Sequence, residues 1–263
     1  MKKIIFFIIV VVGLIFIVKM SNQDNKQSIA SIAGDALGIE PISHASMILN
    51  WDNAVIYTDP VGAKMFTNKP APDIILLTDM HGDHLDLKAL EAVVKDKTVI
   101  IAPMAVADML PGTIAGTLLV MKNGERTNQK TSQKINLRNF NVEAIPMYNL
   151  PEQADNYHTK GRGNGYVIEK NGTRIYISGD TAGISEMRNL RNVDIAFVAM
   201  NLPYTMGVEE AADAVLQFKP KKVYPYHYRT PEGFSDVAKF KEIINSENTA
   251  IEVVQLEWYP QPL

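Results

Sequence analysis

The chain has 263 residues, 46% of them hydrophobic, with a formal net charge of −3 and no cysteine. That length and apolar content support one large domain with its own core, and the slightly acidic balance gives no electrostatic footprint for nucleic acid as a main partner. The lack of cysteine excludes disulfides, thiolate ligands, a cysteine nucleophile and a lipidated cysteine, leaving His, Asp and Glu for any metal coordination.

Met1-Lys2-Lys3 precedes an apolar run from Ile4 to Val18, closed by Lys19. A charged leader with an apolar core predicts a signal peptide or an N-terminal membrane anchor over residues 1–20, although the run is short against the roughly 20 residues of a comfortable span. Ser28-Ile29-Ala30 has the small-x-small form of a cleavage site but lies well beyond the apolar core, so cleavage and retention both stay open. With Lys2 and Lys3 retained inside, the body of the chain lies beyond the cytoplasmic membrane, which predicts an exported protein of a bacterial cell envelope, periplasmic or membrane-anchored. Residues 21–35 are polar and small and read as a tether, and residues 36–263 read as the folded domain.

Ile39 to Ser43, Ser46 to Asn50 and Ala54 to Thr58 predict short strands, with Trp51-Asp52-Asn53 as a hairpin turn. His44 lies between the first two, and Asp59-Pro60 follows the third. Next comes the apolar run Ile74-Ile75-Leu76-Leu77, read as a buried strand, and then Thr78-Asp79-Met80-His81-Gly82-Asp83-His84. Two imidazoles and two carboxylates within six positions cost several kcal/mol to bury unless something satisfies them, and a divalent cation is the simplest partner. Helical spacing from Leu85 to Lys95 puts Asp83 and His84 on a loop entering a helix, a scaffold on which ligands are commonly mounted.

Strand and helix patterns then alternate: strands at Thr98 to Ala102, Leu118 to Met121 and Val142 to Pro146, the middle and last separated by a polar, hairpin-like stretch from Lys122 to Lys134. His158 precedes a glycine-containing segment that leads into a strand, Tyr166 to Glu169, so those glycines do not form a phosphate loop. Arg174 to Ser178 is a strand ending in Gly179-Asp180-Thr181, where the carboxylate reads either as a helix cap or as a ligand. A helix-type sequence runs on to about Asn189. The remaining elements are a strand at Asp194 to Ala199, an amphipathic helix at Val208 to Phe218, a basic corner at Lys219-Pro220-Lys221-Lys222, a strand carrying His227, a helix at Phe234 to Ile244 and a strand at Ile251 to Trp258.

The segment from Thr78 to His84 resembles the His-x-His-x-Asp-His signature of the metallo-β-lactamase superfamily, with Asp79 in place of the first histidine. Four of the five histidines, His81, His84, His158 and His227, fall at that family's ligand positions in order, and Gly179-Asp180-Thr181 matches its bridging carboxylate. The resemblance spans His44 to His227. It is similar in particular to ascorbate-phosphate lactonases and to the phospholipase D acting on N-acyl phosphatidylethanolamine.

The resemblance implies an α/β (α+β) fold, a four-layer αββα sandwich with the site at one edge of two sheets. It implies one metal on Asp79, His81 and His158, another on Asp83, His84 and His227, and Asp180 between them, with zinc at both, or manganese or iron at the oxygen-rich Asp79 site, or that site left weak or empty because aspartate reaches too short. His44, a candidate catalytic group together with Asp83, stands at the pocket wall, and Asp59 stands behind the ligands and supports them. Arg162, Tyr204 and Tyr228 are candidate substrate contacts, with Lys160, Tyr148 and Tyr226 near them; ordinary surface charge and core aromatics are the competing readings. The expected chemistry is hydrolysis of an ester, lactone or phosphoric ester in a small molecule. Two other readings are a metal-binding scaffold or sensor with a degenerate site, suggested by Asp79, and a nuclease of the same fold, disfavoured by the charge balance and the leader.

Overall fold

The run Ile74-Ile75-Leu76-Leu77 contains no polar residue, the pattern of a strand covered on both faces. Both faces are covered: Ile74 and Leu76 enter one apolar cluster, Ile75 and Leu77 another, and all four are buried. The structure, a computed structural model, describes residues 28–32, 35–129 and 135–259. The expected leader at residues 1–20 and most of the expected tether lie outside the described residues.

The first sheet has seven strands, β1 (Ser28–Ile32), β2 (Asp35–Ser43), β3 (Ser46–Trp51), β4 (Ala54–Thr58), β5 (Ile74–Leu76), β6 (Val99–Ala102) and β7 (Thr117–Val120), in that spatial order. β1 to β4 pair antiparallel and β4 to β7 parallel. The β3–β4 turn forms where expected, with Asp52 (φ 46°) and Asn53 (φ 59°) both left-handed, the geometry that matches strand twist in a two-residue hairpin. The second sheet contains β8 (Asn141–Met147), β9 (Gly163–Lys170), β10 (Thr173–Ile177), β11 (Ile195–Ala199) and β12 (Lys222–Tyr226). After a small hairpin of β13 (Arg229–Thr230) and β14 (Gly233–Phe234), β15 (Glu252–Val253) completes it in the order β15-β12-β11-β10-β9-β8.

Alternation along the strands builds the layers. Ile175, Ile177, Ile195 and Phe197 join Leu49, Trp51 and Ile56 in a core between the sheets. Their neighbours Tyr176, Ala196 and Val198 face outward onto helices α2 (Val208–Phe218) and α3 (Val237–Glu247), which follow α1 (Leu87–Val93) in the chain. On the other side, Tyr57, Ile75 and Ile100 pack against Leu90 and Val93 of α1. This is the expected αββα sandwich. Each fully buried Ile, Leu or Phe contributes roughly 1.5–3 kcal/mol, so two dry interfaces beside one core can carry a polar cluster at the sheet edge.

Four local expectations change. Part of the tether is strand β1, paired with β2 from Ser28–Ile39 to Ile32–Asp35; Ile29 and Ile32 were its only sequence hint. The stretch from Lys122 joins two sheets, β7 ending in the first and β8 beginning in the second, and its described residues form no paired hairpin strands; residues 130–134 lie outside the described residues. After Asp180 only one helical turn forms, Ser185–Arg188. The last expected strand pairs only at Glu252–Val253, while Trp258 turns into the central core.

Candidate metal centre

The site gathers where strands end. β5 delivers Asp79 to His84, β4 delivers Asp59, β10 delivers Asp180, β12 delivers His227 and the β2–β3 turn delivers His44. His44 (φ 53°), Asp59 (φ 42°) and His227 (φ 49°) occupy left-handed backbone, a conformation unusual for non-glycine residues that clusters at functional sites. The loop after β5 turns tightly, with the His84 and Leu85 N–H groups donating to the His81 carbonyl, and Asp86 caps α1 through Lys88 and Ala89 while also accepting from Gly62 N–H. Gly179 (φ 59°) takes a left-handed backbone conformation that other residues rarely adopt, and a Cβ there would lie 2.4 Å from Met147 Sδ, so that side chain would have to move.

Asp83, His84, Asp180 and His227 form one cluster. His84 Nε2 lies 3.2 Å from His227 Nε2 and 3.3 Å from Asp180 Oδ2, and His227 Nε2 lies 3.4 Å from both Asp180 Oδ1 and Asp83 Oδ2. Asp59 orients the first of these rings. Fully buried, it takes His84 Nδ1–H at 2.9 Å on Oδ2 and Thr78 N–H at 2.7 Å on Oδ1, while the Thr78 hydroxyl donates to Oδ2. With the Nδ1 proton so held, the His84 Nε2 lone pair faces the cluster, the usual arrangement of a metal-ligating histidine. His44 plays the matching part for Asp83. The Tyr259 hydroxyl accepts the backbone N–H groups of Tyr228 and Arg229 and so donates to His44 Nδ1 at 2.6 Å, leaving His44 Nε2–H to reach Asp83 Oδ2 at 3.3 Å.

Asp79, His81 and His158 form the second cluster. His158 comes from the β8–β9 loop, pinned by Asn149, whose side chain accepts His158 N–H at 2.8 Å; its Nδ1–H donates to the Tyr204 carbonyl at 3.1 Å, turning Nε2 inward. That Nε2 lies 3.3 Å from Asp180 Oδ2, so Asp180 stands between the clusters, as the resemblance implies.

The electrostatics favour a cation. Burial pushes the Asp180 carboxyl up, yet His227 and His84 outweigh it and hold it well below the usual range. Asp83 is likewise held low against burial by His227 and His44, and Asp79 by His81, His84 and Arg162. Burial lowers His84, but the Asp180 and Asp59 carboxylates raise it well above an ordinary histidine, so the same field that holds a proton there would hold a metal. Burial leaves His44 neutral, lowered to about 4 despite Asp83. Asp79 Oδ1, His158 Nε2 and Asp180 Oδ1 are buried without a hydrogen-bond partner, a cost a coordinated ion removes. The residues therefore fit a metal at both clusters, with all-His/carboxylate donor sets suited to zinc.

A cavity of about 360 Å³ opens onto the clusters, lined by His44, His81, Asp83, His158 and Asp180 together with Tyr157, Asn201, Tyr204, Arg229, Thr230 and Pro231. Tyr204 is thus placed where expected. Tyr228 is not: its ring packs between Tyr259 (4.9 Å) and Phe234 (6.0 Å) and against both apolar cores. The Arg162 guanidinium is bound to Asp79 Oδ2 at 2.7 Å and lies 3.3 Å from His81 Nε2, beside the cavity. Lys160 pairs with Glu186 and Glu152, Tyr148 donates to Glu186, and Tyr226 is core, its hydroxyl accepting Gly179 N–H at 3.0 Å. Arg229 and Tyr259 carried no motif in the sequence. They enter through the β12–β13 turn and the C-terminal return, which only the fold brings to His44.

An αββα sandwich with two His/carboxylate clusters joined by one aspartate at the sheet edge defines the metal-binding class of the metallo-β-lactamase fold. The family profile of the beta-lactamase superfamily domain matches residues 39–227. The chain belongs to the metallo-β-lactamase superfamily. A UPF0173 metal-dependent hydrolase from Thermococcus onnurineus is 30% identical over 187 residues, 68% of this chain and 77% of that one. A crystal structure of a protein described as a metal-dependent hydrolase from Parabacteroides distasonis is 39% identical, with a TM-score of 0.75 and coverage of 88% of this chain and 98% of that one. A metallo hydrolase from Ignicoccus hospitalis shares the fold at a TM-score of 0.68 and 20% identity, over 84% of this chain and 95% of its own.

Proposed function

We propose that the chain is a metal-dependent hydrolase that cleaves an ester, lactone or phosphoric-ester bond in a small molecule, using two divalent ions, zinc first among them, at the paired clusters. The observation that carries this reading is Asp180, whose carboxylate reaches His84 and His227 in one cluster and His158 in the other at 3.3–3.4 Å. A divalent cation there supplies Lewis acidity, acidifying water and polarising the oxygen of the bond to be cleaved. The protein's part is positioning. Asp59 holds His84 by its Nδ1 proton, His44 holds Asp83, and the Tyr204 carbonyl holds His158. Arg229, on the same cavity wall, is a fixed positive charge suited to an anionic substrate group or to charge developing on the leaving side.

The oxygen donor of Asp79 makes its cluster harder than an all-imidazole set, which favours manganese or iron there. The test is to strip the full chain with a chelator, reload it with zinc, manganese or iron, and screen esters, lactones and phosphodiesters. Hydrolysis should vanish on stripping and return on reloading; hydrolysis that survives complete metal removal would overturn the reading. The sequence of residues 1–20 supports an exported, envelope-associated protein, to be checked by fractionating cells that carry the full chain. A purely cytoplasmic pool would contradict it. The described residues contain no helix long and apolar enough to cross a membrane.

A further inference from the structure

Asp79 takes the place of an imidazole, and a charged carboxylate is not an electrostatic equivalent of a neutral ring. What restores the balance is Arg162. Its Nη2 donates to Asp79 Oδ2 at 2.7 Å, and Nη1 lies 3.3 Å from His81 Nε2. Asp79 is fully buried, the Arg162 side chain only 20% exposed. The guanidinium is not there by chance reach. Asn164 N–H donates to the Thr78 carbonyl at 2.9 Å, stitching the start of β9 to the loop that carries Asp79, and Gly163 lets the two backbones approach, since a Cβ there would lie 2.9 Å from Thr78 O. Arg162 is therefore delivered to Asp79 by the sheet itself. Asp79 and Arg162 together carry no net charge, like the imidazole they replace, whereas Asp83 has no arginine or lysine beside it among the described ion pairs, and Asp180 is shared by both clusters.

We infer that Arg162 is a built-in counter-cation that separates the loading of the two clusters: the Asp83 cluster binds its ion first and tightly, and the Asp79 cluster accepts a second ion only weakly because Arg162 already neutralises its carboxylate. The inference rests on reading both clusters as ion sites. Arg162 acts here as a positioning and affinity-setting residue, one charge held within contact of the ligand set, where an added cation opposes a divalent ion strongly in a poorly solvated setting. The second imidazole contact fixes the guanidinium plane, and the oxygen Arg162 holds, Asp79 Oδ2, is the one that lies 2.9 Å from His81 Nδ1 and 3.7 Å from His158 Nε2, so the cation sits against the ligand set itself.

The experiment is titration of the chelator-stripped full chain with Zn²⁺ alone against a competing chromophoric chelator, for the wild type, Arg162→Gln, Arg162→Met and Arg162→Lys. Gln keeps a donor to Asp79 without the charge, so a folding defect in the Met variant does not remove the test. The wild type should show one tight step and a second weaker by about a hundredfold or more. In the Gln and Met variants the second step should tighten by at least about tenfold with the first unmoved, and Lys should keep the wild-type pattern. A wild type that takes one ion while the Gln variant takes two also supports the inference. A second step that is unchanged or weaker in both neutral variants, or that never occurs in any of the chains, overturns it. Failure of the first tight step overturns the proposed function as well, whereas an intact first step with an unmoved second overturns this inference alone.

Discussion

Asp59→Asn tests whether the clusters depend on support from behind. The Asp59 carboxylate accepts three hydrogen bonds, from Thr78 N, Thr78 Oγ1 and His84 Nδ1, and lies wholly out of solvent. An amide of the same shape has only one acceptor oxygen. If that oxygen stays with Thr78 N–H, the NH₂ group faces His84, and the ring must carry its proton on Nε2, the atom that otherwise faces the cluster. Losing such a partner typically lowers metal affinity by about 10–100-fold, or about 1.4–2.7 kcal/mol. If the amide flips, Thr78 N–H is left unpaired in the interior at about 1–3 kcal/mol of fold stability instead. The two outcomes separate in two assays: Zn²⁺ competition with a chelator reads the first, and urea unfolding of the metal-free chain reads the second. Metal affinity within twofold of wild type together with unchanged unfolding would refute the reasoning.

Asp86→Ala removes the cap of α1 and its link to Gly62, and should lower stability by about 0.5–2 kcal/mol at neutral pH in urea unfolding. Burial raises the Asp86 carboxyl less than the Gly62, Ala89 and Lys88 N–H groups lower it, so its folded value lies below the unfolded value near about 4. Its contribution is therefore present above about pH 4 and fades as the pH falls through the folded value, where mutant and wild type should converge; a gap that widens in acid would contradict this sign. Gly165→Ala places a Cβ 2.7 Å from the Ser178 carbonyl and 2.9 Å from that of Ile177, both backbone atoms just ahead of Asp180. It should cost about 1–3 kcal/mol or more and weaken metal binding, checked by thermal unfolding with and without Zn²⁺.

Much of the site was legible because its ligands sit at strand ends, where a run of apolar residues breaks abruptly into His and Asp. Asp79 to His84 after Ile74–Leu77, and Asp180 after the strand ending at Ile177, both read this way, and both arrive where expected. The two-sided burial of β5 was legible for the same reason. Less could be read where a role depends on which sheet a segment joins. The polar stretch after Met121 reads as a hairpin locally, yet it crosses between sheets. Tyr228 and Tyr204 are both aromatics in turns after a strand, but the turn after β12 packs Tyr228 against the apolar cores while the turn after β11 leaves Tyr204 at the cavity. Arg162 read as either surface charge or a substrate contact. Its pairing with Asp79 follows from the β9 register against the Thr78 loop, which no local pattern encodes.

The most direct measurement is an anomalous-difference map from crystals of the full chain loaded with Zn²⁺. A peak within about 2.0–2.2 Å of His84 Nε2, His227 Nε2 and the Asp83 and Asp180 carboxylates is the predicted result. Zinc-saturated crystals with no anomalous density among these four residues would contradict the account.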